Sequence, residues 1–318
     1  MSASRADNED QASEGTSRGL DARIDSLERR RAAKEERRNA GELRGQRVRS
    51  NAEKLLTRTM SGFIYAALCV ACLYFGPIST AALMAAMAWL SCSEFYRLTR
   101  MCGRAPEEVL GLTAAVTLPF CPLVSPRVTL IALAIYAIAL GAWYVMSPRA
   151  NIADLAVSAF GPLYCGLMLS FIVMVRMIEP RLAGGLLTLA VMGGIWASDA
   201  FAYLVGSRFG KSKLAPRISP NKTWEGLIGG FVGSLIVWVV YFFVGLIPVP
   251  LYLCIIISLV SAVCGVVGDL VESRFKRGAG VKDSGDFMPG HGGMLDRSDS
   301  LMFGCMAAAV VLMLGGIL

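Results

Sequence analysis

The sequence predicts an all-α, polytopic integral membrane protein of about nine transmembrane helices. Three observations carry that expectation. Of the 318 residues, 55% are apolar and only 17% are charged, against about 25% charged in soluble domains. The mean hydropathy is +0.55. The charge is also segregated: residues 1–59 hold 14 Lys and Arg and 11 Asp and Glu, whereas the rest of the chain holds only 17 and 13. A single soluble globule is excluded. The expected organisation is a basic, partly disordered cytoplasmic tail, 1–59, followed by a membrane-embedded body, 60–318.

Residues 1–19 are rich in Ser, Asp and Glu and are expected to be disordered. Residues 20–58 have helix-forming composition and clustered arginines (Arg29-Arg30-Arg31, Arg37-Arg38), but no sustained apolar stripe. A solvated helix and an arm lying on anionic headgroups are the two alternatives. A secretory signal would place an apolar run within about 30 residues of the start. The first such run begins near Met60, so no signal peptide is expected.

A span needs roughly 20 apolar residues. Nine stretches are candidates: 60–76, 78–95, 108–124, 128–146, 152–175, 183–206, 226–247, 250–268 and 301–317. Chemical breaks separate them, such as Gly76-Pro77, Ser125-Pro126-Arg127, Ser147-Pro148-Arg149, Glu179-Pro180-Arg181 and Pro248-Val249-Pro250. Two long polar loops, 207–225 and 269–300, complete the set. The first and third stretches are short, so a re-entrant pair stays open there. With the N-terminus in the cytoplasm, inside segments carry 28 basic residues and outside segments carry Arg127, Arg176 and Arg181. The positive-inside rule expects that skew. It places the protein in the cytoplasmic membrane, with both long loops inside and the C-terminus outside.

The nine cysteines are odd in number and lie mostly within apolar runs. They are expected to be buried small hydrophobes, not a disulfide framework. Gly184-Gly185, Gly193-Gly194, Gly226, Gly229-Gly230 and Gly233 predict close helix packing in the sixth and seventh spans. The spacing includes GxxxG, which is compatible with a homodimer. Nucleic acid is not an expected partner.

Reactions with a water-soluble substrate are confined to the two inner loops. Asp269 and Glu272 stand at i, i+3 as one helix leaves the membrane, and share a face. Asp296 and Asp299 repeat that spacing where the last helix enters. Converging acids repel and call for a cation between them. All-oxygen ligands favour Mg²⁺, which binds through a few carboxylates plus substrate phosphates. Arg274, Lys276, Arg277, Lys282 and Arg297 stand among these acids, as phosphoryl or nucleotidyl transfer requires. Gly290, Gly292 and Gly293 flank the single histidine, His291, and let backbone approach a phosphate. The other loop runs basic from Arg208 through Ser219, Lys222, Thr223 and Glu225 into a helix start, a natural anion site. Its plainer alternative is a loop that only fixes orientation. Asp199 lies about 10 Å inside the sixth span at ~1.5 Å per residue, and ionisable groups at that depth are costly and usually functional.

The motif Ser273, Lys276-Arg277, Lys282-Asp283 and His291-Gly292-Gly293-Met294-Leu295-Asp296-Arg297-Ser298-Asp299 resembles the signature of the phosphatidate cytidylyltransferase (CDP-diacylglycerol synthase) family. Ser219-Pro220-Asn221-Lys222-Thr223-Trp224-Glu225-Gly226 resembles its second block, and Ser198-Asp199-Ala200 with Gly206 and Gly210 the stretch before it. The resemblance covers roughly 196–318. Met288 and Ser298 depart from the usual residues without replacing a charge. The resemblance implies that CTP and phosphatidic acid give CDP-diacylglycerol and pyrophosphate with Mg²⁺ required, among membrane lipids. Asp269, Asp296 and Asp299 would hold one Mg²⁺ or two cations. Ser219, Lys222, Thr223 and Arg297 would bind triphosphate. Lys276, Arg277 or Lys282 would neutralise pyrophosphate or the lipid phosphate, and His291 would orient phosphate. Glu225, Gly292, Gly293 and Asp199 complete the expected site. One rival is a related CTP-dependent enzyme acting on another membrane lipid phosphate or alcohol. The other is a metal-gated transporter, disfavoured because the remaining spans are read as free of acids and no inverted repeat is visible.

Overall fold

A computed structural model describes residues 59–285, 287 and 292–318. The tail expected over 1–59 lies outside them except for Thr59, and so does His291. The described chain is an all-α polytopic membrane protein with one small hairpin. Its helices are α1 (Thr59–Phe75), α2 (Pro77–Met101), α3 (Glu108–Thr117, extended as a 3₁₀ turn to Leu123), α4 (Pro126–Met146), α5 (Ile152–Met177), α6 (Leu182–Phe209), α7 (Trp224–Val244), α8 (Leu251–Gly278) and α9 (Leu295–Leu314). The antiparallel strands β1 (Lys213–Ala215) and β2 (Ser219–Thr223) join α6 to α7. Among the described residues, seven helices are long and apolar enough to cross a membrane. The expected nine spans thus resolve into seven of full length and two shorter ones, α1 and α3 with its extension.

Local chemistry sets the breaks. Gly76 takes a φ of 127°, a left-handed conformation open mainly to glycine. Pro77 then starts α2 at a position where a missing amide costs nothing. Pro126 does the same for α4. Asn151 caps α5 by accepting from Ala153 and Asp154, while the Asp154 carboxylate accepts from the Asn151 amide at 3.1 Å. This reciprocal box satisfies otherwise orphaned donors. Pro162 removes a donor inside α5, and the helix widens to a π turn over Leu163–Leu167.

Helices α6, α7, α8 and α9 form the packed heart of the bundle, with α2 and the second half of α5 against α9. The glycines expected to let helices approach line the seam between α6 and α7. A Cβ on Gly233 would meet the Ala197 carbonyl at 2.7 Å, and one on Gly230 would meet Ser198 Oγ at 2.8 Å. The GxxxG spacing is therefore filled within one chain and requires no second copy. On α4, by contrast, only Thr129 and Leu140 are buried. Ile131, Ile135 and Ile138 face outward, as a lipid-facing helix requires.

Because the seam has no room for a side chain, Gly230→Val is expected to destabilise the fold by about 1–3 kcal/mol. Thermal unfolding in detergent would read this as a lowered midpoint, and an unchanged midpoint would contradict the packing.

Candidate active site

The ends of α6 and α8 meet the starts of α7 and α9 around a cavity of about 890 Å³. Its charged floor is built from Asp199 of α6, Lys222 of β2, Asp269 of α8, and Asp296, Arg297 and Asp299 of α9. Its apolar wall includes Tyr65 and Ala66 of α1, Trp196 of α6 and Leu227 of α7. Tyr65 stacks edge-on against Trp196 at 6.1 Å, which fixes α1 against the bundle here. One cavity therefore presents ionic and apolar surface side by side.

Asp199, Asp269 and Asp299 lie within electrostatic range of one another. Asp199 stands about 15 Å inside the end of α6 at ~1.5 Å per residue. Its exposed surface belongs to the cavity, although protein surrounds it. Lys222 Nζ pairs with Asp269 Oδ2 at 2.8 Å. The Ser300 amide donates to Asp299 Oδ1 at 2.7 Å, and Ser300 lines the cavity together with Asp199. Three carboxylates thus share the floor with one lysine directly paired to them. Among the described residues, no three Asp, Glu, His or Cys side chains converge as a ready-made metal centre.

Asp296 is held differently. Its Oδ1 accepts from Lys276 Nζ at 2.5 Å. Its Oδ2 accepts from the amides of Ser284 and Gly293, both at 2.9 Å, and lies 3.0 Å from Ser284 Oγ. Lys276 Nζ is also 2.5 Å from Glu272 Oε2. Neither Glu272 oxygen has a directed hydrogen bond, so that contact is one of charge. Gly292, at a φ of 85°, turns the chain in a conformation that suits glycine. A Cβ there would lie 2.6 Å from Asp296 Oδ2.

The β1–β2 hairpin contributes a further side of the cavity through Lys213, Asn221, Lys222 and Thr223. Thr223 caps α7, its hydroxyl accepting from the Gly226 amide at 3.1 Å. Glu225 accepts from the Ser212 amide at 3.1 and 3.3 Å, closing the base of the hairpin. Ser219 pairs with Ala215 in the ladder. Gly206 gives Thr223 room: a Cβ there would meet its Oγ1 at 3.1 Å.

The profile of the cytidylyltransferase family matches residues 56–314, which takes in the whole bundle and every group described above. The chain belongs to that family. It is 50% identical over 109 residues to a phosphatidate cytidylyltransferase of Bacillus subtilis, a match covering 34% of this chain and 40% of that protein. Enzymes of the same name from Staphylococcus haemolyticus and Staphylococcus saprophyticus are 51% and 52% identical over 109 residues, 34% of this chain and 42% of each relative. The chain thus spans about two fifths of the length of the curated relatives it matches.

Of the residues expected at the site of this cytidylyltransferase-family chain, Asp199, Lys222, Thr223, Asp269, Asp296, Arg297 and Asp299 line the cavity together. Gly292 and Gly293 shape the turn that holds Asp296. Lys276 contacts Glu272 and Asp296, so its ammonium serves carboxylates where a phosphate role was expected. Glu225 and Ser219 belong to the hairpin's own bonding. Arg277 is exposed and donates to the Val281 carbonyl at 3.4 Å, and Lys282 is exposed in the loop. His291 lies outside the described residues. Ser298, one of the two departures from the signature, is buried 3.0 Å from Ser91 Oγ and joins α9 to α2. Met288 also lies outside the described residues.

Two charged residues of α2 were missed. Glu94 accepts from Ser284 Oγ at 2.8 Å and from the amides of Met294 and Leu295 at 3.0 and 2.9 Å. Arg97 donates to the Ser284 carbonyl. The expectation that the remaining spans carry no acids fails at Glu94, at Glu108, which pairs with Arg100, and at Asp154, a capping residue. The available signal was a lone glutamate at the end of an apolar stretch, which is costly unless paired.

Lys276→Met leaves Glu272 and Asp296 facing each other without a cation. Removing one member of a buried ionic set costs about 3–5 kcal/mol, and the unfolding midpoint should fall accordingly. Adding Glu272→Gln should recover part of the loss. A single variant as stable as the wild type would show that the lysine does not bridge the two acids.

Proposed function

We propose that the protein transfers the cytidylyl group of CTP to phosphatidic acid, giving CDP-diacylglycerol and pyrophosphate for phospholipid synthesis. The observation that carries this is the shared cavity, whose ionic floor adjoins an apolar wall at the end of the transmembrane helices. A nucleotide and a lipid phosphate can meet only where water and hydrocarbon adjoin. Membership of the cytidylyltransferase family and the names of the bacterial relatives support the same reaction. The skew of basic residues supports placing the cavity on the cytoplasmic face, where CTP is available.

In the transfer, a phosphate oxygen of phosphatidic acid attacks the α-phosphorus of CTP. The bond from that phosphorus to the oxygen bridging to the β-phosphate breaks, and pyrophosphate leaves with its electron pair. The nucleophile is already an anion, so neither a general base nor a covalent enzyme intermediate is required. Catalysis reduces to positioning and charge neutralisation. Lys222 and Arg297 bind phosphate oxygens, and Thr223 fixes the N-terminal turn of α7 beside them. Lys276 keeps Asp296 in place by neutralising it.

The donor chemistry fits Mg²⁺. Asp199, Asp269 and Asp299 are hard oxygen ligands in excess over the lysine paired with them, and Asp296 keeps a free lone pair on Oδ1. Asp269, Asp299 and Asp296 would hold the ion, with Asp199 at their side. Among the described residues no three such side chains form a ready-made centre, so the ion would take its remaining ligands from substrate phosphates. Bound there, it would supply Lewis-acid neutralisation of phosphate charge.

Radiolabelled CTP incubated with the purified protein and phosphatidic acid should give labelled CDP-diacylglycerol with Mg²⁺ and none after chelation. Asp269→Asn and Asp296→Asn should each slow formation by about 100-fold or more while the protein stays folded. Folded Asp296→Asn protein working at the wild-type rate would sink the assignment. Turnover with a different lipid acceptor but not phosphatidic acid would replace the proposed substrate.

A further inference from the structure

We infer that Glu94 is a positioning residue of this site: from α2, through Ser284 and the turn at Met294–Leu295, it fixes the carboxylate of Asp296 at the cavity floor. The inference rests on the proposed cytidylyl transfer for its functional consequence and on geometry for its content.

Ser91, Glu94 and Arg97 stand at i, i+3 and i+6, so they share one face of α2. All three reach the segment that carries the cavity's motif. Ser91 meets Ser298 at 3.0 Å, Glu94 receives three donors from 284–295, and Arg97 donates to the Ser284 carbonyl. Glu94 is 9% exposed, and a Cβ on either Gly285 or Gly293 would collide with its carboxylate. The loop is therefore shaped around this one side chain. Two of its donors are the Met294 and Leu295 amides at the start of α9, where a negative charge also meets the favourable end of the helix dipole.

The link to Asp296 is short. Ser284 Oγ lies 2.8 Å from Glu94 Oε2 and 3.0 Å from Asp296 Oδ2. The two amides that grip Asp296, those of Ser284 and Gly293, belong to residues that Glu94 and Arg97 pin or to their immediate neighbours. Loosening Glu94 would thus free the donors of Asp296 without touching substrate. Glutamine at this position supplies one acceptor oxygen where two are used, and turns an N–H toward a donor.

The test is a double-mutant cycle on the full-length protein in detergent, with CTP, phosphatidic acid and Mg²⁺. Glu94→Gln and Ser284→Ala should each lower kcat by about 10- to 100-fold, the usual cost of losing an outer-shell partner. The KM for CTP should stay within about twofold. The double variant should be no worse than the poorer single one, because both cut the same link. Amide exchange at 284 and 293–295 should quicken in Glu94→Gln while that of α8 is unchanged. Wild-type kcat in either variant, losses that multiply, or a loss confined to KM would overturn the inference. If Glu94→Gln does not fold, Ser284→Ala alone carries the test, and unchanged kcat there overturns it. Wild-type protein that makes no CDP-lipid ends the proposed reaction instead. The exchange measurement then decides the clamp, and unchanged protection at 284 and 293–295 would refute it.

Discussion

Lys276 Nζ stands 2.5 Å from both Glu272 Oε2 and Asp296 Oδ1, and that contact ties Asp296, a carboxylate of the cavity floor, to α8. Glu272 is 1% exposed, so its charge has little help from water. Two carboxylates in such a place repel each other strongly, because the local dielectric is low. The shared ammonium turns that repulsion into a joint between α8 and α9. Phe275, the residue before it, packs edge-on against Phe95 of α2 at 5.4 Å, so the same turn of α8 is braced on its apolar side.

A second constraint acts between α6 and α7. Lipid offers no hydrophobic drive for helices to associate, so close van der Waals approach must supply the attraction. The glycines of α7 provide it by admitting the backbone of α6. The consequence reaches the cavity, because Gly206 and Gly226 continue the seam to the hairpin and bring Thr223 and Lys222 beside Asp199 and Asp269. Packing chemistry in the apolar part of the bundle thus sets the distances in its ionic part.

The helices were legible because their boundaries are written in local residues. Gly76-Pro77, Pro126 and the Asn151 cap act within one turn of where they stand. The acids of the floor were legible too, since Asp269, Asp296 and Asp299 stand out in a chain so poor in charge. Partnership was not legible. A lysine among acids and phosphate-binding residues serves either, and only the fold shows that Lys276 faces Glu272 and Asp296. Glu225 stood in a block expected to bind substrate, yet its partner is the Ser212 amide at the other end of the hairpin. Glu94 is the clearest case: it ends an apolar stretch, and its donors lie about 200 positions along the chain. No local pattern links residues so far apart.

The two kinds of carboxylate on the floor have different duties, and their donors tell them apart. Asp296 spends Oδ2 on backbone amides and one lone pair of Oδ1 on Lys276, so most of its capacity is used before any substrate arrives. Among the described residues Asp269 has Lys222 as its close cation, and Asp299 accepts from the neutral Ser300 amide. Their mutual repulsion is lower where solvent can reach the cavity and would rise steeply as a lipid phosphate and a triphosphate excluded that solvent. Under the proposed reaction, anionic substrates can therefore occupy this cavity only together with added positive charge. Lys222 and Arg297 supply part of it. In that proposal the remainder would come from a divalent cation accompanying the nucleotide, which would make substrate binding and charge balance a single event at the end of these helices.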